Sequence, residues 1–231
     1  LLALTVGVFG LELVIEGRLD GLSFEQSFRT ATLYHAGALY RPAILSGEYG
    51  RLLTAMFVHA NLLHLLLNGA LLLGLGWRLE RYLGAWRVGL IYLLSGVGAS
   101  VISFGLTLHS RDMAVGASGA IFGLAGALLG FSIRHWNLLH WQAWLLGGVL
   151  LLNLTVLNVV PGTDNWAHLA GLAGGLWLGL LGTPPAPSAT AEIPVNTTVR
   201  ALDPTLGLLL AGLAWSGLIL ALFVSFSLAL K

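Results

Sequence analysis

The chain has 231 residues, of which 57% are hydrophobic and only 9% charged. Soluble domains carry about 25% charged residues, so water is a poor solvent for most of this surface. A formal net charge of +1 leaves no basic field to attract phosphate, which argues against a nucleic-acid partner, and the absence of cysteine removes disulfides, thiolate metal sites and cysteine nucleophiles together.

A bilayer-crossing helix needs roughly 20 mainly apolar residues, within about 17 to 25. Seven stretches qualify, at about 1–15, 52–76, 88–108, 115–133, 139–160, 166–182 and 206–230. The first begins on Leu1 rather than Met, so further residues are expected before it. It has no small-residue cleavage site and is expected to be a span rather than a signal peptide. Residues 17–51 are too mixed to span and too rich in aromatic and apolar side chains for a plain linker, so they are expected to form an ordered loop at the interface. The stretch 183–205 holds five of the seven prolines and reads as a flexible connection. The expected organisation is therefore a six-helix body over 1–182, a linker over 183–205 and an appended seventh helix over 206–231.

Orientation is weakly encoded. With the first loop outside, Arg78, Arg81, Arg87, Arg134 and Arg200 lie inside, against Arg111 and Lys231 outside, which fits the positive-inside pattern. Counting Arg18, Arg29, Arg41 and Arg51 of the long loop as well removes the signal.

Polar side chains inside spans are costly and usually face a bundle interior or a wet cavity. The second span carries His59, His64 and Asn68 in "HANLLHLLLNG", the fourth carries Ser118 in "AVGASGAIFGLAG", and the sixth carries Asn165 and His168 in "NWAHLAGLAGG". His64 and Asn68, four apart, share one helix face. Spans two, four and six run in the same direction, so depths can be compared from their far ends. His64, Ser118 and His168 precede Arg78, Arg134 and Gly182 by 14, 16 and 14 residues. That is roughly 21, 24 and 21 Å in a core of about 30 Å. Small residues follow Ser118 at Gly119, Gly123, Ala127 and Gly130, and follow His168 at Ala170, Gly171, Gly174, Gly175 and Gly179. Such faces let helix backbones meet.

Taken singly, Ser118 reads as a packing residue, and His168, His64 and Asn68 read as interhelical hydrogen-bonding groups. His59 and His64 have the wrong spacing for haem ligation, and no His-Glu-x-x-His zinc motif is present. An aspartyl membrane protease needs two carboxylates within spans, and only Glu12 lies well inside one. Glu12 and Glu16 are expected to reach the outer end of the first helix. His35, His109, His135 and His140 fall in loops or near interfaces and receive no chemistry. The combination is harder to dismiss. A serine nucleophile needs a neutral imidazole within reach, and acyl transfer needs donors aimed where the oxyanion develops. His64, Asn68 and the Ser118 backbone N–H at a helix start can supply them. No carboxylate is expected close enough for a third member, which predicts a dyad.

These three segments, in this order and on the second, fourth and sixth helices, resemble the rhomboid family of intramembrane serine proteases. The resemblance covers about 1–182 and implies an all-α polytopic membrane protein with a rhomboid-like six-helix bundle, the extra helix matching the "six plus one" subgroup. It implies Ser118 as nucleophile and His168 as general base, with His64 and Asn68 contributing to the oxyanion site and the Gly116–Ser118 backbone shaping it. His59 matches the family's other second-helix histidine, which looks structural. Two positions depart from the pattern. Gly50-Arg51 stands where a Trp-Arg pair is frequent, and Phe122 stands where a Tyr often supports the base. Arg51 is still expected to anchor the loop and Phe122 to pack on His168.

The implied reaction is hydrolysis of a peptide bond in or near a transmembrane segment of a substrate membrane protein, within the lipid bilayer and without metal or organic cofactor. The spanning helix must unwind locally, because its carbonyls are otherwise buried in hydrogen bonds. The setting expected is a bacterial cell (inner) membrane. The alternative is a non-catalytic relative that binds membrane helices.

Overall fold

A computed structural model describes residues 1–17, 27–107, 112–134 and 163–182. The expected fifth span, the proline-rich linker, the seventh helix and residues 18–26 of the first loop lie outside the described residues.

Among the described residues the architecture is all helical. Helix α1 covers Leu2–Glu16, and three short helices follow in the first loop: α2 (Thr30–Ala36), α3 (Arg41–Leu45) and α4 (Arg51–Thr54). The long helices are α5 (Leu62–Leu83), α6 (Ala85–Leu106), α7 (Ser118–Arg134) and α8 (Asn165–Gly182). A single antiparallel bridge joins Leu39 to Ala114 and ties the first loop to the segment entering α7.

The second span differs from the 52–76 expected. Only Arg51–Thr54 is helical there, and the apolar run Ala55–Val58 is a buried turn under the first loop. The long helix starts at Asn61, whose side chain accepts the His64 N–H at 2.8 Å in a standard N-cap. It continues through Arg78 and Arg81, because charged side chains at a helix end do not interrupt it, and stops at Gly84, whose φ of 80° suits glycine. A buried turn and a spanning helix have the same apolar composition, so hydropathy did not separate them.

Helix α5 shows why it sits where it does. Leu65, Asn68, Gly69, Leu72, Gly76, Leu79 and Leu83 recur at helical spacing and turn inward, while Leu63, Leu66, Leu67, Leu71 and Leu73 are exposed. Helix α7 is apolar on all sides and buried nearly throughout, between α6 and α8. The α7–α8 contact is backbone against backbone. A Cβ built on Gly171, Gly175 or Gly179 would fall onto the carbonyl oxygens of Gly119, Gly123 or Ala127, and one on Gly126 would meet Leu172. Only glycine permits that approach.

Candidate active site

The site is built at one end of α5, α7 and α8. Ser118 is the first residue of α7, His168 the fourth of α8 and His64 the third of α5. Depth counted from the far ends does not hold for α5, since that helix runs on to Leu83. The helix starts are what align.

Ser118 Oγ and His168 Nε2 are 2.7 Å apart. The glycine seam makes this possible, because both side chains are short and the helices must nearly touch. His168 is buried, and the Phe122 ring stacks on its imidazole at 4.5 Å and 22°. The expected aromatic packing is therefore present without a hydroxyl. At the start of α7, Ile121 N–H bonds to Ala117 O, so the N–H groups of the first turn, Ser118's among them, have no partner within the helix.

Gly116 adopts φ +122°, and a Cβ there would lie 2.8 Å from the His64 ring. Its N–H already bonds to Ala55 O at 3.0 Å, so Gly116 contributes close approach for His64 rather than a free donor. No hydrogen bond ties down the His64 ring among the described residues. Asn68 is buried, and its Nδ2 donates to the His64 carbonyl one turn back at 2.9 Å, which ties these two residues together.

A cavity of ≈ 40 Å³ opens beside Ser118, lined by Met56, Gly96, Ala99, Ser100 and Asp164. A water needs roughly 10–15 Å³ on this scale, so a few waters or one small side chain fit.

Asp164 was missed by the sequence reading. One oxygen accepts the Ala167 N–H at 3.0 Å and caps α8, the other accepts the Ser103 hydroxyl of α6, and its backbone carbonyl receives the His168 N–H at 3.1 Å. The available signal was an Asp directly before an apolar helical run. Glu16 is the last residue of α1 and Glu12 lies one turn before it, and both are buried. Glu16 receives the Thr32 hydroxyl and Arg29, and Glu12 receives the His59 backbone N–H at 3.0 Å. Glu16 thereby satisfies donors of the first loop, and Glu12 one at the turn before α5, that hydrocarbon could not.

Arg51 anchors that loop. Its guanidinium donates to the carbonyls of Tyr34 (2.8 Å) and Ala38 (3.1 Å), pairs with Glu48, and stacks over the Tyr34 ring at 4.1 Å. The Arg51 hydrogen bond holds the exposed Glu48 carboxyl below its ordinary value of 4.5.

Fold and site together define a polytopic helical membrane protein with a hydroxyl–imidazole pair recessed at one end of a glycine-packed helix pair. Residues 46–185 match the family model described as Rhomboid domain. The chain belongs to the rhomboid family. It is 38% identical over 153 residues to RHOMBOID-like protein 5 of Arabidopsis thaliana, covering 65% of this chain and 49% of that protein. It is 36% identical over 162 residues to the rhomboid protease GluP of Bacillus subtilis, covering 69% of this chain and 31% of that protein. The chain thus spans half or less of the length of these relatives. The family and the apolar helices make it a membrane protein. The expected bacterial membrane is not supported, because the matched relatives include Arabidopsis proteins, one of them named as mitochondrial.

Proposed function

We propose that the chain is an intramembrane serine endopeptidase that cleaves peptide bonds in or near transmembrane segments of membrane proteins through a Ser118–His168 dyad. The observation that carries this reading is the 2.7 Å contact between Ser118 Oγ and His168 Nε2 across the α7–α8 seam. Neutral His168 accepts the Ser118 proton as Oγ attacks the scissile carbonyl. The donors proposed for the tetrahedral oxyanion are the Ser118 N–H at the helix start, the His64 ring and the second hydrogen of the Asn68 amide, whose first bonds to the His64 carbonyl. His168 then gives its proton to the leaving amine, and the acyl-enzyme is released by water activated at the same imidazole. Phe122 holds the imidazole plane through both transfers. The small cavity beside Ser118 suits a small residue before the cut, in keeping with the resemblance.

The dyad has two direct tests. A purified Ser118→Ala variant in detergent should lose all cleavage of a reporter membrane protein and keep its thermal stability. In the native protein a fluorophosphonate should label Ser118 alone, and His168→Ala should abolish that label. Undiminished proteolysis by Ser118→Ala would overturn the assignment and leave the helix-binding alternative.

A further inference from the structure

Glu12 is a buried carboxyl group on α1 that the proposed chemistry does not use. Its side chain is fully buried, with Phe9, Phe28 and Leu65 packed in an apolar cluster on the same side of the bundle. Only half of the carboxylate is engaged. Oε1 accepts the backbone N–H of His59 at 3.0 Å, and Oε2 is buried with no partner. His59 is equally buried. Its Nδ1–H donates to Phe57 O at 3.1 Å, which fixes the tautomer, and Nε2 is left bare and unpartnered.

A half-satisfied buried carboxylate is costly, and a well-packed apolar residue would serve stability as well or better. The position of Glu12 therefore calls for another explanation, which the contacts beyond it provide. The His59 ring meets the His64 ring edge to face at 5.1 Å. The His64 ring in turn lies so close to Gly116 that a Cβ there would stand 2.8 Å from it. Gly116 is two residues from Ser118. Glu12, His59, His64 and Gly116 thus form one contiguous line from α1 to the strand of chain that enters α7.

We propose that Glu12 is a positioning residue for His64: by accepting the His59 N–H it fixes the chain entering α5, and the His59 ring then sets the His64 imidazole against Gly116. This rests on the protease reading only for its catalytic consequence, since the geometric claim concerns His64 itself. Helix α1 then acts on catalysis without touching substrate, through one hydrogen bond and two ring contacts. The oxygen that matters is an acceptor, not a charge, so glutamine should replace glutamate.

The test compares Glu12→Gln, Glu12→Ala and the apolar near-isostere Glu12→Met in the full chain in detergent micelles. With ¹⁵N-labelled histidine and the His64 ring signals assigned through His64→Gln, the Ala and Met variants should shift or broaden those signals, and Glu12→Gln should leave them in place. Cleavage of a reporter should follow, with kcat falling about tenfold in the Ala and Met variants at unchanged KM, a size usual for residues coupled through a contact line. In a His64→Ala background the same substitutions should cost nothing further. His64 signals unmoved in Glu12→Met, or moved equally in Glu12→Gln, would overturn the proposal. A native protein that cleaves nothing would count against the protease reading alone, because the His64 signals report the positioning independently.

Discussion

The α7–α8 seam and the first loop solve the same problem, holding a chemical group in place beside lipid, by opposite means. Along the seam Gly171, Gly175 and Gly179 lie against the α7 backbone, with the Ser118–His168 and Arg134–Leu180 hydrogen bonds towards its two ends. The first loop is held by charged side chains on carbonyls and a carboxylate, Arg51 on Tyr34 and Ala38 and Arg29 on Glu16, and just beyond it the His59 backbone N–H bonds to Glu12. Sterics therefore set the Ser118–His168 pair, and hydrogen bonds set the first loop. A rigid contact suits two short side chains that must meet within hydrogen-bond distance.

Substitutions can separate the two regimes. The largest effect is expected at the seam. Gly175→Leu would drive a side chain into the Gly123 carbonyl, with backbone on both sides and nothing able to yield. Overpacking usually costs about 1–3 kcal/mol and more where no side chain can move, so little monodisperse protein should survive size-exclusion chromatography in detergent. A stable, active Gly175→Leu protein would show that the seam is not close-packed.

Gly116→Ala belongs to both regimes, since it combines a φ of +122° with the His64 ring in the path of a Cβ. Left-handed backbone strain costs about 1–2 kcal/mol for an L residue. The expected result is a melting temperature lowered by a few degrees and kcat lowered more than tenfold, on the order of the losses seen when an oxyanion donor is displaced. Equal kcat in the variant would mean that His64 does not need its present place.

Arg51→Ala should loosen the loop without touching the dyad. Hydrogen bonds to charged groups contribute about 1.5–3 kcal/mol, so thermal stability should fall and the loop should become more sensitive to protease, while fluorophosphonate labelling of Ser118 persists. Arg51→Lys should recover only part of the loss, because an ammonium cannot reproduce a planar guanidinium on two carbonyls and a tyrosine ring.

The smallest effect concerns Glu48. Its folded-state carboxyl is held below 4.5 by the Arg51 hydrogen bond, so its contribution is fully present above that value and is lost as pH falls through the depressed one. The melting temperature should decline slightly as pH is lowered from about 5.5 towards 3, and Glu48→Gln should flatten that decline. An unchanged slope in Glu48→Gln would assign the acid sensitivity elsewhere.

Much of this was legible in the sequence because it is local. Apolar runs placed α1, α6, α7 and α8 to within a few residues, and small residues at fourfold spacing marked the faces of α7 and α8 that meet. The Ser118 and His168 positions stood out as polar groups in otherwise apolar helices. The start of α5 was misread because Ala55–Val58 is apolar whether it turns beneath a loop or spans a membrane. Asn61 carried the cap signal within an otherwise continuous pattern. Asp164 was overlooked because a cap one residue outside a span does not register as an intramembrane carboxylate.

By itself the sequence determined which segments avoid water and which helix faces are small enough to touch, since both follow from side-chain type at fixed spacing along one helix. Only the tertiary structure decided which polar groups meet. Hydrogen bonds between Glu12 and His59, 47 residues apart, and between Ser118 and His168, 50 apart, depend on where separate helices cross. Burial in a low-dielectric bundle makes every such pairing matter, and no local pattern along the chain records its partner.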